Sequence, residues 1–243
     1  MEETKNKKRL SIKDSVYIGT VVLLSAGLIT TSVFLTIKNK KSSFQSYYDS
    51  KVAAYRAENA NFSKGQIVFI GDSITDLYHL NDYYSDLDKA TYNRGIGGDT
   101  TSGVLKRLDV SLYDIEPSKV VLMIGINDIN GYIAESEIVS NYTKILDGIK
   151  EHLPTTELYS MSILPVNSDL GANYDLKRAT NTILSVNAKI KPIVEQHSYQ
   201  YLDLFSQVQD GENHLKKDLS DDGIHLNHNG FVIWTDLVKP YLQ

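Results

Sequence analysis

Four short segments of this sequence hold side chains and backbone groups that could act together on an acyl group. Ser73 stands in Gly71-Asp72-Ser73-Ile74-Thr75. A serine hydroxyl is a weak nucleophile until a neighbouring base accepts its proton. Six histidines are available for that role: His79, His152, His197, His214, His225 and His228. His152 and His197 fall near the ends of helical patterns, where a solvated or dipole-facing imidazole suffices. His225 and His228 share one loop with Asp221 and Asp222. A carboxylate there would hold the imidazole by its other nitrogen and stabilise the imidazolium. On chemistry alone Asp221 and Asp222 are equivalent. Asn127, in Gly125-Ile126-Asn127-Asp128, offers side-chain N–H donors to a developing oxyanion. The turn Arg94-Gly95-Ile96-Gly97-Gly98-Asp99-Thr100 offers backbone N–H groups, because glycine allows close approach and positive φ. Each segment also has a purely structural reading. Serine after a strand suits a helix N-cap, and clustered glycines suit a tight turn.

The elements that must position these residues follow from hydropathy. Gln66–Ile70 and Lys119–Ile124 are short, nearly continuous apolar runs, the pattern of parallel strands covered on both faces. Thr91–Asn93, Glu157–Ile163 and Tyr199–Leu204 are further strand candidates, the first of them weak. Helical spacing marks Phe44–Asn59, a segment from about Thr101, Glu135–His152, Arg178–His197 and Asn229–Leu242. Alternating strands and helices predict an α/β fold, a three-layer flavodoxin-like parallel sheet with helices on both faces. In such sheets ligands bind beyond the carboxyl ends of the strands. Ser73, the Gly-rich turn, Asn127 and the histidine loop all follow strands, so one rim should gather them.

The first forty residues read differently. Residues 16–37 form a 22-residue stretch without a charged side chain. At about 1.5 Å per residue they span roughly 33 Å, enough for a bilayer core of roughly 30 Å. The run is longer than the apolar part of a signal peptide and ends in Phe-Leu-Thr-Ile-Lys-Asn-Lys-Lys without a small-x-small cleavage site. This predicts a basic cytoplasmic N-terminus over 1–15, a single-pass transmembrane anchor over 16–37, a spacer and leading helix over 38–65 and a catalytic domain over 66–243. Five basic residues precede the anchor and three follow it closely, so the body should face outward from the cell membrane. Net charge is −5, yet residues 1–41 hold eight Lys/Arg against three acidic side chains, a surplus of five. The remaining body is therefore strongly acidic and a poor partner for nucleic acid. The chain has no cysteine, which excludes disulfides, zinc–thiolate sites and cysteine nucleophiles.

GDSIT, the GIGGDT turn, GIND and DGIH, in that order, resemble the four sequence blocks of the SGNH/GDSL hydrolases. The resemblance spans about residues 66 to 238, and within that superfamily the chain looks like the bacterial esterases related to platelet-activating-factor acetylhydrolase. It implies a catalytic set of Ser73, Asp222 and His225. The three-residue offset from Asp222 to His225 is the family's, and His228 lacks an acidic residue at that offset. It also implies an oxyanion hole of the Ser73 N–H, the Gly98 N–H and the Asn127 side chain, with Asp128 as a supporting group. The implied activity is hydrolysis of carboxylic esters through an acyl-serine intermediate, short acyl or O-acetyl groups being favoured. Thioesterase or lysophospholipase action with the same triad, or a non-catalytic surface binding module, are the alternatives.

Rival motifs fail. No G-x-S-x-G surrounds Ser73, no P-loop occurs, and GIGGDT lacks the last glycine of a dinucleotide fingerprint. No H-E-x-x-H exists, and the implied mechanism requires neither metal nor cofactor. The expected partners are a small-molecule, lipid or glycan ester as substrate and the membrane through residues 16–37. Tyr78, Tyr83, Tyr84 and Tyr174 fall in loops where they could line a pocket or stack on a sugar, packing being the plainer role.

Overall fold

The computed structural model describes Thr36, residues 43–172 and residues 175–243. The predicted anchor, apart from Thr36, and Tyr174 lie outside the described residues. Among the described residues no helix is long and apolar enough to cross a membrane. The chain divides into two compact units, Met1–Tyr47 and Tyr48–Gln243, and the candidate site lies wholly in the second.

In this second unit, helix α1 covers residues 48–59. Strand β1 (Ile67–Gly71) leads into a single turn, α2 (Ser73–Asp76), and a second short helix, α3 (Asn81–Tyr84). Then come β2 (Thr91–Gly95), α4 (Thr101–Leu105), β3 (Lys119–Met123), α5 (Ile126–Asn130) and α6 (Glu135–His152). The chain finishes with β4 (Glu157–Met161), α7 (Leu176–Gln196), β5 (Gln200–Leu202), α8 (Phe205–Val208) and α9 (His228–Val238). Within the sheet every strand pairing is parallel, and the order is β2-β1-β3-β4-β5, the flavodoxin-like order.

Every residue of β1 is buried, so both of its faces are covered. On one side Phe69 meets Tyr78, Tyr84 and Trp234, and Trp234 is fully buried on α9. Tyr78 and Tyr84 are therefore core residues that tie the α2–α3 segment to α9, as the packing reading requires. Tyr83 is the partly exposed member of the group and is bonded to His228.

Two helices differ from the sequence pattern. The helix beginning at Thr101 stops at Leu105, and a π-helical turn follows at Asp109–Tyr113. Between them Arg107 turns inward to a buried position, where it donates to Asp99, Ser111 and the carbonyls of Arg94 and Gly71. An uninterrupted amphipathic helix has no place for that inward cation. The closing helix ends at Val238 rather than continuing to Leu242. Pro240, which lacks an N–H, sits in a following 3₁₀ turn.

Candidate active site

Ser73 is the first residue of α2, just beyond the carboxyl end of the interior strand β1. Its predecessor Asp72 caps the turn, its carboxylate accepting the Ile74 N–H at 3.0 Å. Asp72, not Ser73, is thus the N-cap, which leaves the Ser73 hydroxyl for other partners. That hydroxyl lies 2.8 Å from His225 Nε2. On the far side of the ring, Nδ1 lies 2.6 Å from Asp222 Oδ2. A carboxylate at Nδ1 keeps the proton there, so Nε2 presents its lone pair to the Ser73 O–H.

Asp222 is held by its own loop. Its Oδ1 accepts the N–H groups of Ile224 and His225, both at 2.9 Å. Burial pushes its carboxyl up, but the His225 ring, by hydrogen bond and charge, and these two N–H groups outweigh that and hold it below the usual carboxylate range. The loop is fastened from β4's side of the sheet by Asn167, whose N–H donates to the Gly223 carbonyl at 2.8 Å. Gly223 has φ +81°, and a Cβ there would stand 1.9 Å from the Asn167 carbonyl oxygen. Only glycine allows this contact.

The turn after β2 places Gly98 at φ +79°. Its residue is exposed, and no acceptor among the described residues takes its N–H or that of Ser73. Asn127 begins the second position of α5, just beyond β3. Its Nδ2 donates one hydrogen to the Asp99 carbonyl at 2.9 Å and keeps the other. Ser73 N–H, Gly98 N–H and the second Asn127 hydrogen are thus uncommitted donors at the carboxyl ends of β1, β2 and β3.

Beneath these donors are three buried carboxylates, Asp72, Asp99 and Asp128. Asp99 pairs with Arg107 at 2.8 Å, both side chains being essentially inaccessible. Asp128 accepts from the Thr101 N–H at 2.9 Å and the Thr101 hydroxyl at 2.6 Å, locking α4 to α5. Burial raises the carboxyls of Asp99 and Asp128 above their usual range. It pushes Asp72 up to about 7, the neighbouring Asp99 and Asp128 adding to the effect and the Ile74 N–H and Arg107 opposing it.

All of the sequence-predicted site residues, Ser73, Gly98, Asn127, Asp222 and His225, stand on one rim. Three of the other histidines are engaged elsewhere. His228 bonds Tyr83, His197 bonds Asp147, and His152 stacks on Tyr113. Asp221 is an exposed loop carboxylate. Arg107, Asp72 and Asn167 escaped the sequence reading. Arg107 lies in an amphipathic stretch where a basic residue ordinarily faces water, and nothing local marks it as buried. Among the described residues no cluster of His, Cys, Asp and Glu could hold a metal ion.

Residues 69–232 match the model of the GDSL-like Lipase/Acylhydrolase family. The chain belongs to this family. Among relatives of the GDSL-like lipase/acylhydrolase chain is platelet-activating factor acetylhydrolase IB subunit alpha1 of Bos taurus, 34% identical over 103 residues. That match covers 41% of this chain and 44% of the relative, so it spans less than half of that protein's length. A Streptococcus pneumonia structure provisionally described as a platelet activating factor superposes with TM-score 0.79 at 28% identity, covering 86% of this chain and 99% of that one. An acetylxylan esterase of Geobacillus stearothermophilus shares the fold, with TM-score 0.59 at 19% identity over 74% of this chain and 95% of the other.

Proposed function

We propose that this GDSL-like family member is a serine hydrolase of carboxylic esters that favours short acyl or O-acetyl groups. The reading is carried by one observation, the hydrogen-bonded line Asp222–His225–Ser73 at 2.6 and 2.8 Å. In it the Ser73 hydroxyl attacks the acyl carbon while its proton passes to His225 Nε2. Negative charge gathers on the former carbonyl oxygen, and the three uncommitted donors of Ser73, Gly98 and Asn127 are the groups to receive it. Collapse of the tetrahedral species breaks the bond to the alcohol oxygen, which takes the proton from His225. Water then repeats the cycle on the acyl-serine, His225 acting first as base and then as acid.

An alkoxide leaves more readily than an amine, which favours esters over amides. The acetyl preference is supported by the similarity to a platelet-activating factor acetylhydrolase subunit. Residues 16–37 would anchor the domain at the outer face of a membrane, a reading that rests on their charge-free length and basic flanks.

A panel of p-nitrophenyl esters from acetate to palmitate, with the full chain and Ser73→Ala, tests the assignment. We expect hydrolysis that is fastest for acetate and lost in the variant. An undiminished Ser73→Ala rate would remove the mechanism, and a long-chain optimum would move the substrate to lipids. Detergent-dependent release of the full chain from membranes checks the anchor. Recovery in the aqueous fraction without detergent would refute it.

A further inference from the structure

Helix α1 lies ahead of the segment that matches the family model, which begins at residue 69. Its side chains nevertheless converge on the loop that carries Gly98. Tyr55 and Ile96 are buried together with Val110 in a small apolar cluster separate from the main core, with Tyr48 and Val52 packed against it. Ile96 is a residue of the Gly98 loop itself. The Tyr55 hydroxyl donates to the Gly95 carbonyl, and the Tyr48 hydroxyl donates to the Gly103 carbonyl at 2.8 Å.

The most direct link runs through a carboxylate. Asp76, on the turn that starts with Ser73, accepts the Gly97 N–H on Oδ2 at 3.2 Å. Its Oδ1 accepts from Lys51 Nζ of α1 at 2.7 Å, and both side chains are largely shielded from solvent. The peptide between Gly97 and Gly98 carries the donor that the proposed mechanism uses. Its plane is set by rotation at two glycines, the softest torsions a chain can offer. The bond at Gly97 N–H restrains one end, and the turn bond from Asp99 N–H to the Ile96 carbonyl at 3.0 Å restrains the other. Without the cation, Asp76 loses the ion pair that fixes its Oδ1, and its hold on the Gly97 N–H is weakened.

We propose that α1 is a positioning element of the oxyanion hole, with Lys51 acting through Asp76 to orient the Gly97–Gly98 peptide. This rests on the reading of Gly98 as an oxyanion donor. A donor already in place is worth most when its geometry is held through the reaction, and a displacement of about 1 Å can cost as much as 10²-fold. Lys51 touches neither substrate nor reacting atoms in this scheme. Its effect should therefore fall on the charge-developing step and leave binding of a small ester alone.

The test uses the full chain with p-nitrophenyl acetate. Lys51→Met is expected to lower kcat about tenfold with KM within about twofold. Lys51→Arg, which can still donate to Asp76, should recover most of the loss. Tyr55→Phe keeps the ring in the cluster and removes only the bond to Gly95, so it should give a smaller kcat loss of the same kind. In an Asn127→Ala background the Lys51→Met loss should shrink, because both changes weaken stabilisation of one oxyanion. Wild-type kcat in Lys51→Met, or a loss matched by the fraction unfolded at the assay temperature and not recovered by Lys51→Arg, would overturn the proposal while leaving the esterase reading intact. A wild-type chain inactive on every ester would overturn both.

Discussion

His225 Nε2 and Ser73 Oγ stand 2.8 Å apart although 152 positions separate them in the chain. Ser73 is delivered by the interior strand β1 and His225 by the loop before α9, which Asn167 pins down from the β4 side. The contact therefore depends on β1, β3 and β4 being assembled in register.

Asp222→Asn separates orientation from fold. The amide oxygen can keep the Ile224 and His225 N–H groups, while its NH₂ would face Nδ1 and force the proton to Nε2. The lone pair needed by Ser73 is then lost. We expect kcat to fall on the order of 10³–10⁴-fold with an almost unchanged thermal melt. A fall of less than tenfold would contradict this role for Asp222.

Asn127→Ala removes one oxyanion donor and its bond to the Asp99 carbonyl. The expected loss is on the order of 10²–10³ in kcat for p-nitrophenyl acetate, with little change in KM. Steady-state kinetics decide this. A pure KM effect would mean that Asn127 binds ground-state substrate instead.

Arg107→Met leaves Asp99 buried without its cation. Breaking such a pair typically costs about 3–5 kcal/mol. Here the arginine also satisfies the Gly71 and Arg94 carbonyls, which adds to the loss. Urea denaturation should show a large destabilisation at neutral pH that lessens as acid neutralises Asp99. A deficit independent of pH would show that the lost packing, not the stranded charge, dominates.

Asp72 makes the stability itself pH-dependent. Its carboxyl titrates near 3.8 ordinarily and is pushed up to about 7 in the fold. Between these values the folded chain keeps a proton that the unfolded chain has released, so rising pH lowers stability across that window. Asp99 and Asp128 act in the same direction, whereas the lowered Asp222 contributes stability that is lost as pH falls. Asp72→Asn keeps a cap acceptor for Ile74 and carries no charge. Its Tm should exceed that of the wild type above pH 7, the gap closing toward pH 4. Equal gaps at both pH values would exclude an ionised Asp72 as the cause.

The residue types needed for the chemistry were legible without coordinates because they sit in short local blocks after strand-like apolar runs. Burial of β1 on both faces follows from its unbroken hydrophobicity, and the parallel order follows from alternation with helices. The helical pattern from Thr101 carries no sign of its end at Leu105 or of the inward turn of Arg107, which reaches Asp99, Ser111 and the carbonyls of Arg94 and Gly71. No local pattern records such partners.

What the sequence by itself supplied is a candidate set, Ser73, Asp222, His225, Asn127 and Gly98, because residue types and local spacing limit the chemistry and the four blocks resemble those of a known family. Only tertiary structure brings His225 Nε2 against the Ser73 hydroxyl, makes Asp72 a buried cap, and carries Lys51 to the Gly98 loop through Asp76. These depend on contacts between elements distant in the chain. Distances of that kind are set by packing of the sheet and helices, which local residue patterns do not encode.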